Sequence, residues 1–185
     1  MHLLEKSLDE IHKIKLRNPT YIKLRNTNLL LVVFRDEDKH DKFAETIFKN
    51  GSMVYGCYMS GDVFKKNTRR KDITKIESEL VFITYSLFGR KDFGVASSFG
   101  LSSVRHEVMH YLMDFNEDLL EKMKIMWYKM DKEKRQLIRW WLKKKGYSYR
   151  EIVSEAISFC MDDAYIIPKV FRTGAQDIFK KALAF

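Results

Sequence analysis

Cysteine is scarce in this chain of 185 residues, with only Cys57 and Cys160. Two such residues cannot build a disulfide framework or a CxxC metal pair, and a reducing compartment is the easier expectation. Proline also occurs twice, at Pro19 and Pro168, and both positions read as breaks between elements. No run is long and apolar enough to span a bilayer. The opening stretch, MHLLEKSLDEIHKIKLR, carries a charge every few positions and so has no h-region. The expectation is a cytoplasmic protein, or one delivered without a conventional signal peptide. Internal repeats and low-complexity segments are absent as well.

What is present describes a globular domain. Apolar residues make up 45% of the chain and aromatic residues 14%, which is too much to leave disordered. The length suits one domain, with a core that needs no covalent staples. The net charge is +9, much of it in the runs Lys65–Lys71 and Lys129–Lys145. Such a balance favours acidic partners, whether nucleic acid, an anionic surface or an acidic protein. Solvated lysines on helix faces are the plainer account. Few lysines alternate with exposed-looking aromatic residues, as a single-strand binding groove would require.

Along the chain, Leu4, Leu8, Ile11 and Ile14 stand at helical spacing and predict a helix over 3–16. Leu29–Phe34 reads as a buried strand, and residues 38–49 as a helix stopped by Asn50-Gly51. Ser52–Met59 and Leu80–Leu87 read as two further strands, and Phe88–Ser98 as a Gly- and Ser-rich loop. From Ser102 onward the chain reads as helical, with breaks near Asn116, Asp131, Gly146 and Pro168. The fold class expected is α+β: a single domain over 1–185, with a sheet-containing half at 1–100 and a helical half at 101–185.

The chemistry centres on His106-Glu107-Val108-Met109-His110. Residues four apart share a helix face, so both imidazoles can reach one ion at the roughly 2.0–2.1 Å of a Zn–N bond. Glu107, one step round the helix, can meet a water at that ion without being a ligand. Ser102 or Ser103 would cap such a helix. Two histidines on an ordinary core helix are the bland account.

A catalytic zinc site needs a third protein ligand. No histidine follows His110, and His40, the only mid-chain alternative, lies in a polar stretch that reads as helix surface. The remaining source is the helical segment from Tyr149 to Phe159, with Glu151 and Glu155 four apart. One would ligate and the other would orient an imidazole. Glu151 is favoured because it leaves Glu155 that supporting role, although Ser148-Tyr149-Arg150-Glu151 also fits a capping box, which would make Glu155 the ligand.

HExxH followed by a separate helix bearing ExxxE resembles the gluzincin metallopeptidases, and most the anthrax lethal factor-type catalytic domain. That family shows HExGH and, some forty residues on, a helix reading roughly EFFAEAF. The likeness covers roughly residues 80–185 and includes a weaker match at Pro168-Lys169-Val170-Phe171. It implies a zincin-like fold, Glu151 as the zinc ligand, and a tyrosine before that helix to hold the oxyanion. Tyr147 and Tyr149 are the candidates, although the family's offset falls on Lys144. Met109 stands where the family has glycine.

These readings together predict a zinc-dependent endopeptidase. Zn2+ would be held by His106, His110 and Glu151, with Glu107, Tyr147 and Tyr149 as catalytic residues and Glu155 as support or alternative ligand. The substrate would be a protein or peptide, an acidic one suiting the charge. It would add as a strand along Leu80–Leu87 or Gly94–Ser98. Two other readings compete. Lys143–Ile152 resembles the turn into the second helix of a helix-turn-helix, which would bind DNA, but a recognition helix reading EIVSEAISFCMDD is acidic and repels phosphates. A catalytically inactive binding protein of zincin fold is the other, against which Glu107 argues. Asp114, Asp162 and Asp163 read as surface charges rather than a second cation site.

Overall fold

The computed structural model describes residues 3–48, 56–69, 74–162 and 164–183. It shows a mixed α/β architecture, with a five-stranded mixed sheet and nine helices among the described residues. The chain divides into two compact units, Met1–Glu107 and Val108–Phe185. The boundary falls inside the helix that carries HExxH, a few residues beyond the 100/101 division expected from composition.

The first unit holds the sheet. Strands β1 (Leu3–Lys6), β2 (Thr20–Leu24), β3 (Leu29–Phe34), β4 (Gly56–Ser60) and β5 (Gly94–Phe99) lie in the order β1-β2-β3-β5-β4. β1 runs parallel to β2, and β3 parallel to β5. The β2–β3 and β4–β5 pairs are antiparallel. Helices α1 (Leu8–Ile11), α2 (Glu37–Ile47), α3 (Gly61–Thr68) and α4 (Lys75–Phe88) complete this unit, together with the start of α5 (Val104–Phe115). β3 is buried at all six positions, as its unbroken apolar run requires of a strand covered on both faces. Its Leu30, Val32 and Phe34 pack with Phe43, Phe64 and Leu80 in one core cluster.

Several expectations fail here for identifiable reasons. The helix predicted over 3–16 is instead β1 followed by the single turn of α1. Leu3 and Leu4 pair with Tyr21 and Ile22 of β2, so sheet pairing overrides the helical spacing. Glu10 accepts a hydrogen bond from the Ser7 amide at 2.8 Å and starts the short helix there. Leu80–Leu87 is not a strand but the body of α4. Thr74 caps it: its hydroxyl accepts from the Glu77 amide at 3.2 Å, while the Thr74 amide donates to the Glu77 carboxylate at 2.7 Å. Leu80, Ile83, Thr84 and Phe88 face inward, while Phe82 and Tyr85 are exposed. That is helical periodicity disguised by β-branched and aromatic residues.

The Gly- and Ser-rich loop expected over 88–98 contains β5, a central strand paired on both sides. Ser97 and Ser98 are buried within it. The strand expected over 52–59 is present as β4 from Gly56. Residues 52–55, like the Asn50-Gly51 stop, lie outside the described residues.

The second unit is helical, as expected. After the remainder of α5 come α6 (Glu117–Lys129), α7 (Lys132–Lys144), α8 (Ile152–Ser158) and α9 (Lys169–Leu183). Asn116 and Asp131 cap α6 and α7 through their side chains, which explains why those positions read as breaks. Gly146 ends the third break with φ at 96°, a backbone state that favours glycine. Trp127 is fully buried and meets Phe171 edge-on at 6.2 Å.

Candidate metal centre

α5 brings His106, Glu107 and His110 onto one helix. His106 and Glu107 are buried, at 6% and 4% exposed. α8 supplies the carboxylate. His106, His110 and Glu155 each offer one ligand atom, and these atoms all lie within 4.8 Å of one another. This is the one group of three or more metal-ligating side chains found among the described residues.

The spacing bears on what the group can hold. His110 Nε2 and Glu155 Oε1 are 3.3 Å apart. A charge-assisted hydrogen bond closes to about 2.7–2.9 Å. Ligands at roughly 2.0–2.1 Å around a tetrahedral ion stand about 3.3–3.4 Å apart. The distance is compatible with two ligands of one ion as well as with an ion pair. Two imidazoles and one carboxylate are a donor set that zinc accepts, with a fourth position left for solvent or substrate.

Glu155, not Glu151, is the carboxylate gathered with the two imidazoles. Glu151 is exposed, and its Oε2 accepts a hydrogen bond from the Ser148 amide at 2.8 Å. That bond is half of the capping box that competed for this residue in the sequence, and it occupies the carboxylate at the helix start.

The two tyrosines part company as well. Tyr147 is half-buried, edge-on to Phe159 at 6.0 Å. Tyr149 is 73% exposed, with the Lys143 ammonium 3.6 Å from the centre of its ring. Asp114 and Asp162 are exposed, in line with surface charges, and Asp163 lies outside the described residues.

Sequence reasoning missed Gly56. A β-carbon placed there would overlap Oε1 of Glu107 and come within 2.9 Å of the Ser103 hydroxyl. Gly56 thus leaves room for the carboxylate against the edge strand. The available signal was a lone glycine inside a run that otherwise reads as strand, which marks close approach by another group. Ser103 is tied in turn to Ser98 of β5, their hydroxyls 2.7 Å apart, and its carbonyl accepts from the Glu107 amide at 3.1 Å.

His40 also departs from expectation. It is fully buried rather than on a helix surface. Its Nε2 lies 3.2 Å from the Ser97 hydroxyl and its Nδ1 3.5 Å from the Asp41 carboxylate. Burial pulls its pKa below the ordinary histidine value, and Asp41 opposes that only in part. Serine, histidine and aspartate in sequence of contact suggest a nucleophile, but Ser97 is 1% exposed. That hydroxyl is buried, and the contacts of the network link α2 to β5.

Compared with family models, with curated proteins and with solved structures, the chain matches none.

Proposed function

We propose that this chain is a zinc-dependent endopeptidase of the zincin type, akin to the gluzincins of the lethal factor kind, with His106, His110 and Glu155 as the metal ligands. The observation that carries the reading is the convergence of those three ligand atoms within 4.8 Å, next in sequence to a buried glutamate that is not among them. A divalent ion bound there would acidify a water molecule and polarise a scissile carbonyl. Glu107 would take the proton from the attacking water and pass it to the departing amine. Tyr147 remains the tyrosine proposed to steady the oxyanion, and the exposed Tyr149 is set aside.

The substrate is a protein or peptide in extended form, and an acidic one suits a chain of net charge +9. Neither segment first considered for its docking serves. Leu80–Leu87 is helical, and β5 has both edges paired. β4 is an edge strand in the sheet order, and it carries Gly56 against Glu107. Gly56–Ser60 is therefore the strand along which substrate would add. The helix-turn-helix reading gains no support, since α8 is seven residues long and buried at Ile152, Ala156, Ile157 and Ser158.

The test is Glu107→Gln, assayed on a peptide library with zinc content measured alongside. The expected result is a fall in hydrolysis of at least about a hundredfold, with one equivalent of zinc retained. An unchanged rate would reject the assignment.

A further inference from the structure

The outer face of α7 combines two properties that the metal cluster does not use. Eight basic residues and three acidic ones lie between positions 131 and 151. Two of the acids are already engaged with backbone amides, Asp131 at the start of α7 and Glu151 before α8. Ile138 and Leu142 point into the core. Opposite them, three large side chains stand in solvent: Leu137 at 50%, Trp140 at 54% and Tyr149 at 73% exposed.

Leu137 and Trp140 are three apart and so are neighbours on the helix. Lysines border them. Lys144 Nζ lies 4.1 Å from the centre of the Trp140 ring, and Lys143 Nζ 3.6 Å from that of Tyr149. The expectation that few lysines stand beside exposed aromatic residues does not hold on this face.

We propose that this face docks the protein on an anionic phospholipid surface. Lys143, Lys144 and Arg139 would meet the headgroup phosphates, and Trp140, Leu137 and Tyr149 would enter the interfacial layer. Aromatic side chains with one apolar and one polar end settle at that depth, and clustered lysines add attraction to anionic lipid. Single-stranded nucleic acid is the other polyanion that a basic, aromatic face could take. It reads aromatic residues by stacking bases on open ring faces. Here ammonium groups already cover a face of Trp140 and of Tyr149, and an exposed leucine adds nothing to base stacking. A phosphate headgroup needs the ammonium and leaves the ring where it is.

The experiment is sedimentation of the full chain with vesicles of phosphatidylcholine alone or mixed with phosphatidylserine, at low salt. Binding is expected to the mixed vesicles only, and to weaken as salt rises. Leu137→Ser with Trp140→Ser, and separately Lys143→Glu with Lys144→Glu, should each reduce binding at least about tenfold. All four positions are exposed, and matching thermal melts will show that the variants fold. Failure to bind the mixed vesicles, or full binding by both variants, overturns the proposal. So does capture of a single-stranded oligoribonucleotide in the absence of vesicle binding, which would assign the face to nucleic acid instead. The readout is independent of peptide hydrolysis, so it stands or falls apart from the metal centre.

Discussion

Gly56 and the carboxylate of Glu107 lie so close that a β-carbon at position 56 would overlap Oε1. The carboxylate is the far end of its side chain and can swing aside, but it is buried and any swing moves the proposed proton acceptor. Gly56→Ala is therefore expected to cost activity more than stability. Overpacking a close contact costs roughly 1–3 kcal/mol, and relief by rotation puts this case at the lower end. Urea denaturation should show that modest loss. Peptide hydrolysis should fall well beyond it while bound zinc stays constant. Wild-type hydrolysis in the variant would mean that the position of the carboxylate does not matter.

The two glutamates of the ExxxE pair should separate cleanly. Glu155→Gln removes a proposed ligand and is expected to lower zinc content and hydrolysis together. Glu151→Ala removes only the hydrogen bond from the Ser148 amide. It should retain zinc and activity, with a stability loss of about 1 kcal/mol. Elemental analysis of the two purified variants decides it, and the reverse pattern would restore Glu151 as the ligand.

Spacing along a helix ranks residues by face, but it does not say where the helix begins. α8 starts at Ile152, so Glu151 sits at its mouth with the carboxylate turned back to Ser148. Both histidines of HExxH, by contrast, lie within α5, where their spacing fixes a common face. The caps at Asn116 and Asp131 were equally legible, because a side chain bonding an amide three residues on is a local event.

What could not be read was non-local. β1 and β5 are strands because of what pairs with them. β5 in particular is mostly Gly, Ala and Ser, with Val95 and Phe99 its only strand-favouring residues, and it is held between β3 and β4. The burial of His40 likewise depends on Ser97, fifty-seven positions away. Nothing in the polar run around His40 announces it.

That buried histidine makes the last prediction, one about stability rather than catalysis. His40 has its pKa lowered in the folded chain, chiefly by burial, with Asp41 and Glu37 pulling the other way. In the unfolded chain it titrates near 6.5. Between the two values the unfolded state binds more protons, so stability rises with pH. The contribution is complete above about pH 6.5 and is lost progressively as pH falls towards the folded value, by at most about 1.4 kcal/mol per pH unit. His40→Gln should flatten this slope while sacrificing some stability at pH 8, through the disturbed contact with Ser97. Because other carboxylates and imidazoles titrate in the same range, the informative quantity is the difference between wild type and variant at each pH. Denaturation of the metal-free proteins at pH 8, 6.5 and 5.5 measures it. The gap should narrow as pH falls, and a gap that stays constant would show that His40 keeps its ordinary pKa despite its burial.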